Sequence, residues 1–263
     1  MKKLDSYGDM FKKSAGSRIL RSLVLMTSIA SLALTGCDSQ SKAIFNFECP
    51  EKKLVQLDLL DLSSSGRASD VLDERLKSIQ IDVERVTDCE GEFSLVAWSA
   101  SSASSYEIFQ GTLKTAGATE IGRDRKISNA VSRTMAEIRS GLTDAFERVN
   151  PVGSNLFGAF SIAEDQLKTL GPNDELEIVI YSDAITNVSQ HSVNQAGLTE
   201  EQAIKSAQIA SGIELVNIKV SIIGVGKTGN KISQPPQGYV LMLRIYAEEM
   251  CRITKGVCTI LTV

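Results

Sequence analysis

Histidine is almost absent: the chain of 263 residues holds one, His191. A Ser-His-Asp triad, a multi-histidine metal cage or a histidine-pair hydrolase therefore lacks its raw material. A basic surplus is missing as well. The 28 Lys and Arg residues face 32 Asp and Glu, for a formal net charge of -4 and a pI of about 5.3. That balance argues against nucleic acid as a partner, because nothing is left over to neutralise phosphates. No uncharged apolar run reaches the roughly 20 residues of a comfortable bilayer span. No internal repeat is visible, and no cysteine pair has metal-finger spacing. What remains is an ordinary globular composition, 43% hydrophobic and 23% charged, with mean hydropathy -0.01. It excludes a disordered chain, a collagen-like repeat and a polytopic membrane protein. The length suits one α/β domain with an appendage.

The N-terminus reads as that appendage. Lys2, Lys3, Lys12, Lys13, Arg18 and Arg21 are opposed only by Asp5 and Asp9, and the uncharged stretch 22–34 follows. It is short for a span but right for the core of a signal peptide. It ends in Leu34-Thr35-Gly36-Cys37, which resembles the bacterial lipobox. The resemblance implies a signal peptide over 1–36, cleaved before a Cys37 that carries the lipid (palmitate among its acyl chains), and a lipidated tether over 37–50. The protein would then be anchored to a bacterial membrane, facing the periplasm or the exterior. Asp38 resembles the inner-membrane retention signal of enterobacteria. The competing reading is an uncleaved anchor helix with an incidental cysteine. Removal of 1–36 takes six basic and two acidic side chains and leaves a net charge of -8. Anionic headgroups repel such a surface, so the acyl chains must do the anchoring. An acidic surface also suits a protein that collects cations.

From residue 51 onward, strand-like and helix-like segments alternate. Short apolar runs at 54–60, 93–98, 106–113, 177–181, 216–225 and 257–263 read as strands. Helical spacing of apolar residues marks 68–86, where Val71, Leu72, Leu76, Ile79 and Val83 fall in register, and 125–149. Further helices are expected over 156–170, 199–211 and 239–254. The order predicts a three-layer, doubly wound α/β domain over 51–263. Its central sheet is mostly parallel, with helices on both faces and 106–113 as an antiparallel edge strand. In such sheets ligands sit at the carboxyl ends of the strands.

At that edge the first strand runs into Asp61-Leu62-Ser63-Ser64-Ser65. Asp-x-Ser-x-Ser places a carboxylate and two hydroxyls on one side of a turn. Such an all-oxygen set suits Mg²⁺, Mn²⁺ or Ca²⁺. Ser154, in the Gly-containing segment 152–155, and Asp183, closing the strand at 177–181, follow in order. On these residues the domain resembles the von Willebrand factor A (vWA) family, whose metal-ion-dependent adhesion site (MIDAS) opens with Asp-x-Ser-x-Ser. The segment 220–226 is similar to the family's penultimate strand. The resemblance implies a Rossmann-type fold and a divalent cation, Mg²⁺ first among the candidates, at Asp61, Ser63, Ser65, Ser154 and Asp183. Two neutral-to-charged counts matter: two carboxylates, three hydroxyls. A cation held so lightly keeps an open position that a carboxylate of a protein partner can fill. The sequence departs from the family twice, with Ser154 where threonine is usual and Ala184 where glycine commonly follows the aspartate.

Export makes disulfides expected among Cys49, Cys89, Cys251 and Cys258, which allow three pairings, with buried thiols as the alternative. Placed on the fold, Cys49–Cys89 and Cys251–Cys258 are the favoured pairs, both at the sheet edge away from the metal. Asp58, inside the first strand, reads as a strand-edge charge, with a supporting role behind the metal as the other reading. The segment 224–228 imitates a phosphate-binding loop, but Ser221 stands where the motif needs glycine and Pro235-Pro236 prevent the following helix. No nucleotide is therefore expected. The 99–105 serine cluster reads as a turn, and His191 as solvated. The function expected is metal-dependent protein–protein interaction in an envelope assembly, and not an enzyme. A metal-dependent hydrolase and a structural lipoprotein with a vestigial site are the alternatives.

Overall fold

A computed structural model describes residues 47–115, 120–188, 192–229 and 234–262, all within one compact unit, Phe45–Val263. The signal peptide, Cys37, Asp38, His191 and most of the tether lie outside the described residues. Among the described residues no helix is long and apolar enough to cross a membrane.

Strand β1 (Lys53–Asp61) is buried from Leu54 to its end, as expected of a strand covered on both faces. It is followed by α1 (Ser69–Asp88), β2 (Glu92–Trp98), β3 (Tyr106–Thr112), α2 (Glu120–Arg148) and α3 (Leu156–Leu167). The second half comprises β4 (Asp174–Tyr181), α4 (Glu200–Ala207), β5 (Lys219–Val225), α5 (Gln237–Thr254) and β6 (Val257–Thr262). The six strands lie in the order β3-β2-β1-β4-β5-β6. All neighbours are parallel except β2 and β3, which pair antiparallel. The architecture is the expected three-layer α/β fold with one antiparallel edge.

Alternation along β1 divides the core. Val55, Leu57 and Leu59 pack with α3, α4 and α5, around Phe160, Tyr246 and Met250. Leu54 and Leu60 face the other way, toward Ile79, Val83 and Val86 of α1 and Met135 and Ile138 of α2. The chain leaves β1 toward β2 and returns to β4 on the opposite side. The β1–β4 boundary is thus the topological switch point, where a crevice opens at the carboxyl ends.

Element ends differ from the sequence reading in physically simple ways. Helix α4 opens on the expected Thr199, whose side chain and Gln202 form a reciprocal capping box. It stops at Ala207, and the remaining turn, Gln208–Ala210, tightens into a 3₁₀ helix. Strand β5 begins at Lys219 rather than 216, because Asn217 takes a left-handed turn, φ 61°. The disulfides are Cys49–Cys89, Cα–Cα 5.4 Å, and Cys251–Cys258, Cα–Cα 6.1 Å. The first fastens the chain just before β1 to the residue after α1, at the end of β1 opposite Asp61. The second joins the last turn of α5 to β6.

The expectation for Asp58 is overturned. It lies in the middle of β1, between β2 and β4, and is 0% exposed. It sits on the face that α1 covers, where Gln56 Nε2 donates to its Oδ1 at 3.0 Å. Asp82 of α1 is its charged neighbour, and Tyr181 of β4 donates its hydroxyl to Asp82. An apolar run with a single acid suggested an edge charge, but a polar cluster under α1 allows the acid to be interior.

Candidate metal centre

Each wall of the crevice is built by a separate stretch of chain. The turn after β1 carries Ser63 and Ser65 and is held by Arg67, whose Nε donates to Leu62 O at 2.8 Å. The same guanidinium donates to the carbonyls of Phe146, at 3.0 Å, and Val149, at the end of α2. Gly66 is required here by space. A Cβ at this position would sit 2.1 Å from Asp61 O and 2.8 Å from Arg75 Nη1.

The second wall is the 150–155 loop. Its placement depends on Ser64 N donating to Pro151 O (3.0 Å) and Asn155 N donating to Ser99 O (3.1 Å). Gly153 sits at φ +88°, a conformation that glycine adopts without strain. Helix α3 starts directly after this loop. Its first amide, Leu156 N, is capped by Thr186 Oγ1 from the third wall, 3.1 Å away.

That third wall follows β4. Ser182 Oγ donates to Asp61 Oδ2 at 2.8 Å and accepts from Ala184 N at 3.1 Å. Ala184 itself is left-handed, φ 60°. Glycine adopts this conformation without strain, and the turn forms here with alanine.

The five residues singled out in the sequence meet across these walls. Ser154 Oγ donates to Asp61 Oδ2 at 2.8 Å, and Ser63 N donates to Asp61 Oδ1 at 2.8 Å. Ser65 Oγ donates to Asp183 Oδ2 at 2.5 Å, and the Ser63 and Ser65 hydroxyls are 3.3 Å apart. Asp61 is 0% and Asp183 2% exposed. Burial, with the Asp61 charge next, raises the Asp183 pKa to about 6, against the pull of Ser65, the Ile185 amide and Arg75. Above them opens a cleft of about 220 Å³ lined by Ser63, Ser65, Ser154, Asp183, Asn187 and Thr228, among others.

Four functional candidates escaped the sequence reading. Ser182 shares Asp61. Asn187 accepts from Ser154 N through Oδ1 at 2.8 Å. Thr228 lines the cleft, and its buried hydroxyl has no partner. Arg75 of α1 is 6% exposed and donates to Asp61 O at 2.9 Å. Only Arg75 left a signal: it interrupts an apolar stripe at the four-residue spacing Val71, Arg75, Ile79, Val83.

Chemically, the set is two carboxylates and neutral hydroxyls, all hard oxygen donors, which fits Mg²⁺, Mn²⁺ or Ca²⁺ better than a softer metal. Among the described residues no group of three or more His, Cys, Asp or Glu could hold a metal ion. A cation here would therefore depend on the Ser63, Ser65 and Ser154 hydroxyls and on water to complete its shell.

No family model matches the sequence, and no curated protein does. Solved structures similar to it include the conserved hypothetical protein BatB from Bacteroides thetaiotaomicron, at 14% identity and TM-score 0.37, covering 80% of this chain and 90% of that one. The N-terminal domain of TFIIH p34 is similar at 12% identity and TM-score 0.39, covering 79% and 90%. Proximal thread matrix protein 1 of the mussel byssus, in a form with a zinc-occupied MIDAS motif, is similar at 15% identity and TM-score 0.35. The match covers 79% of this chain and about half, 48%, of that chain. Likeness at such identities concerns the fold alone.

Proposed function

We propose that this chain is a membrane-anchored vWA-like lipoprotein that binds a divalent cation at Asp61, Ser63, Ser65, Ser154 and Asp183. It uses the cation to capture a carboxylate presented by a protein partner in an envelope assembly. One observation carries the reading: five oxygen-bearing side chains, from three separate loops, meet at the base of one open cleft at the sheet's switch point. A bound cation would act as a Lewis acid toward an oxygen ligand. The residues of this chain supply the rest. Asp61 and Asp183 provide charge, the hydroxyls provide neutral ligands, and the Asn187 and Thr228 side chains line the approach. Val152, in the 150–155 loop between Pro151 and Gly153 of the cleft wall, is 71% exposed and free to offer an apolar contact.

The test is capture from cells by crosslinking, comparing wild type with Asp61→Ala and Asp183→Ala, each in Mg²⁺ and in EDTA. The partner is expected to vanish on chelation and in both variants while the fold, read by circular dichroism, survives. Capture indifferent to EDTA and to both substitutions would remove the reading.

A further inference from the structure

Arg75 is a charged residue in an otherwise apolar stripe of α1. It projects from the buried stripe of α1 into the floor of the site, where a leucine would continue the apolar pattern. Burial lowers its pKa, while Asp61 first and then Asp183 push it back up. A guanidinium remains charged in any such balance. It is also fixed. Its Nη1 donates to Asp61 O at 2.9 Å, and Gly66 closes over the same nitrogen so tightly that a Cβ would not fit. Glu74, the adjacent acid on α1, also acts on Arg75, but it is paired with Lys227, and that pair adds no net charge.

The charge count at the floor then decides the behaviour of the site. Asp61 and Asp183 bring two negatives, Arg75 one positive, and the hydroxyls none. A divalent cation added to this set leaves a net charge of +1, in a pocket whose charged members are at most 6% exposed. An uncompensated charge in such surroundings is unfavourable. A carboxylate arriving at the open coordination position restores neutrality.

We propose that Arg75 is a built-in counter-charge that makes cation binding and carboxylate binding mutually dependent, so that the free protein holds its cation loosely and the liganded protein holds it tightly. This rests on the cation-binding reading above and adds a role that reading does not contain. Arg75 contacts neither cation nor ligand; it acts through the field at Asp61 and Asp183, as a positioning and affinity-setting residue. Coupling of this kind is reciprocal, so the carboxylate must raise cation affinity by the factor by which the cation raises carboxylate affinity.

The experiment uses the full chain in mild detergent, Mn²⁺ as the cation and acetate as the carboxylate, with chloride matched for ionic strength. Mn²⁺ affinity is read by electron paramagnetic resonance of the free ion. In the wild type, acetate is expected to tighten Mn²⁺ severalfold. Arg75→Met, of similar length without charge, is expected to tighten Mn²⁺ at least tenfold without acetate and to lose most of the acetate effect. Arg75→Lys should retain it. Mn²⁺ affinity independent of acetate in the wild type overturns the proposal without any variant, so misfolding of Arg75→Met does not protect it. Unchanged or weaker Mn²⁺ binding by a folded Arg75→Met also overturns it and leaves the cation site standing. If Asp61→Ala binds Mn²⁺ as the wild type does, the cation site itself is wrong and the proposal falls with it.

Discussion

Replacing Asp58 by asparagine is expected to stabilise the protein above the ordinary carboxylate range and to leave it unchanged below. Asp58 is completely buried, and its Oδ2 lacks a hydrogen-bond partner unless a proton lies between it and Asp82. Burial, followed by the Asp82 charge, raises its pKa well above 3.8; the hydrogen bond from Gln56 opposes this only in part. Asp82 is raised too, but Tyr181, Gln56 and Arg85 favour its ionised form. The pair is therefore expected to share one proton, which these influences favour on Asp58.

The sign follows directly. The folded state keeps this proton at a pH where the unfolded chain has lost it, so the group's contribution is fully present below pH 3.8. It declines as pH rises toward the folded value. The slope is at most one proton, about 1.4 kcal/mol per pH unit. Asparagine reproduces the protonated state, with Oδ1 accepting from Gln56 and Nδ2 donating to Asp82, and it does not titrate. Urea denaturation of the two proteins can be followed by fluorescence of Trp98, which is the chain's single tryptophan and fully buried. The stability difference should lie within about 0.5 kcal/mol at pH 3.5 and grow in favour of the variant toward pH 7.5, by up to the stated slope. Asp183, which titrates with the same sign, cancels in the comparison. Parallel pH profiles for wild type and Asp58→Asn would refute the shared proton.

Cation binding should weaken below the Asp183 pKa of about 6, by up to roughly tenfold per pH unit as the cation competes with one proton; Mn²⁺ titrations between pH 5 and 7.5 read this directly. Gly66→Ala should cost about 1–3 kcal/mol in urea denaturation, because its methyl group meets Asp61 O and Arg75. Removing Cys49–Cys89, which spans 40 residues, should cost more than removing Cys251–Cys258, which spans 7. Chain entropy gives about 4 against about 2.5 kcal/mol, checked by double Cys→Ala variants. Thr228→Val keeps the shape of the cleft and removes its unpaired hydroxyl; it should leave Mn²⁺ affinity unchanged and weaken partner capture in the crosslinking assay.

The sheet and its helices were legible because local and tertiary signals coincide. The run at 177–181 is apolar because β4 is covered on both faces, and the stripe on α1 has a helical period because one face packs on the sheet. Asp61, Ser63 and Ser65 were legible for a different reason: they share one turn, so sequence spacing is spatial spacing. Ser154 and Asp183 lie 93 and 122 residues beyond Asp61, and only the family pattern linked them to it. Where no such pattern existed, the reading stopped. Ser182 was overlooked beside Asp183, although on a turn the adjacent side chain can point back to the strand it left. Thr228 is supplied by the loop after β5, through crossover geometry that no local period records. Asp58 was misplaced because an acid in an apolar run normally belongs at an edge. What made it interior was the convergence of Gln56, Asp82 and Tyr181 from two strands and a helix.

Asp58 and Arg75 belong to one argument. Both are charged-type residues at positions where leucine would pack, both lie in the layer between the sheet and α1, and each depends on a helix α1 partner or position. Sequences selected for stability alone do not keep such groups inside, because an apolar replacement of similar size is commonly neutral or better. Local rules are broken in this way chiefly where function requires it. At the carboxyl edge the consequence is concrete. The floor of the site carries opposed charges that the protein alone does not balance, so the free energy released by neutralising them becomes available to whatever binds. On the proposed reading, a cation would relieve the repulsion between Asp61 and Asp183 and conflict with Arg75, and an acid would relieve that conflict in turn. On that reading, the coupling between cation and carboxylate resides in the charges of Asp61, Asp183 and Arg75.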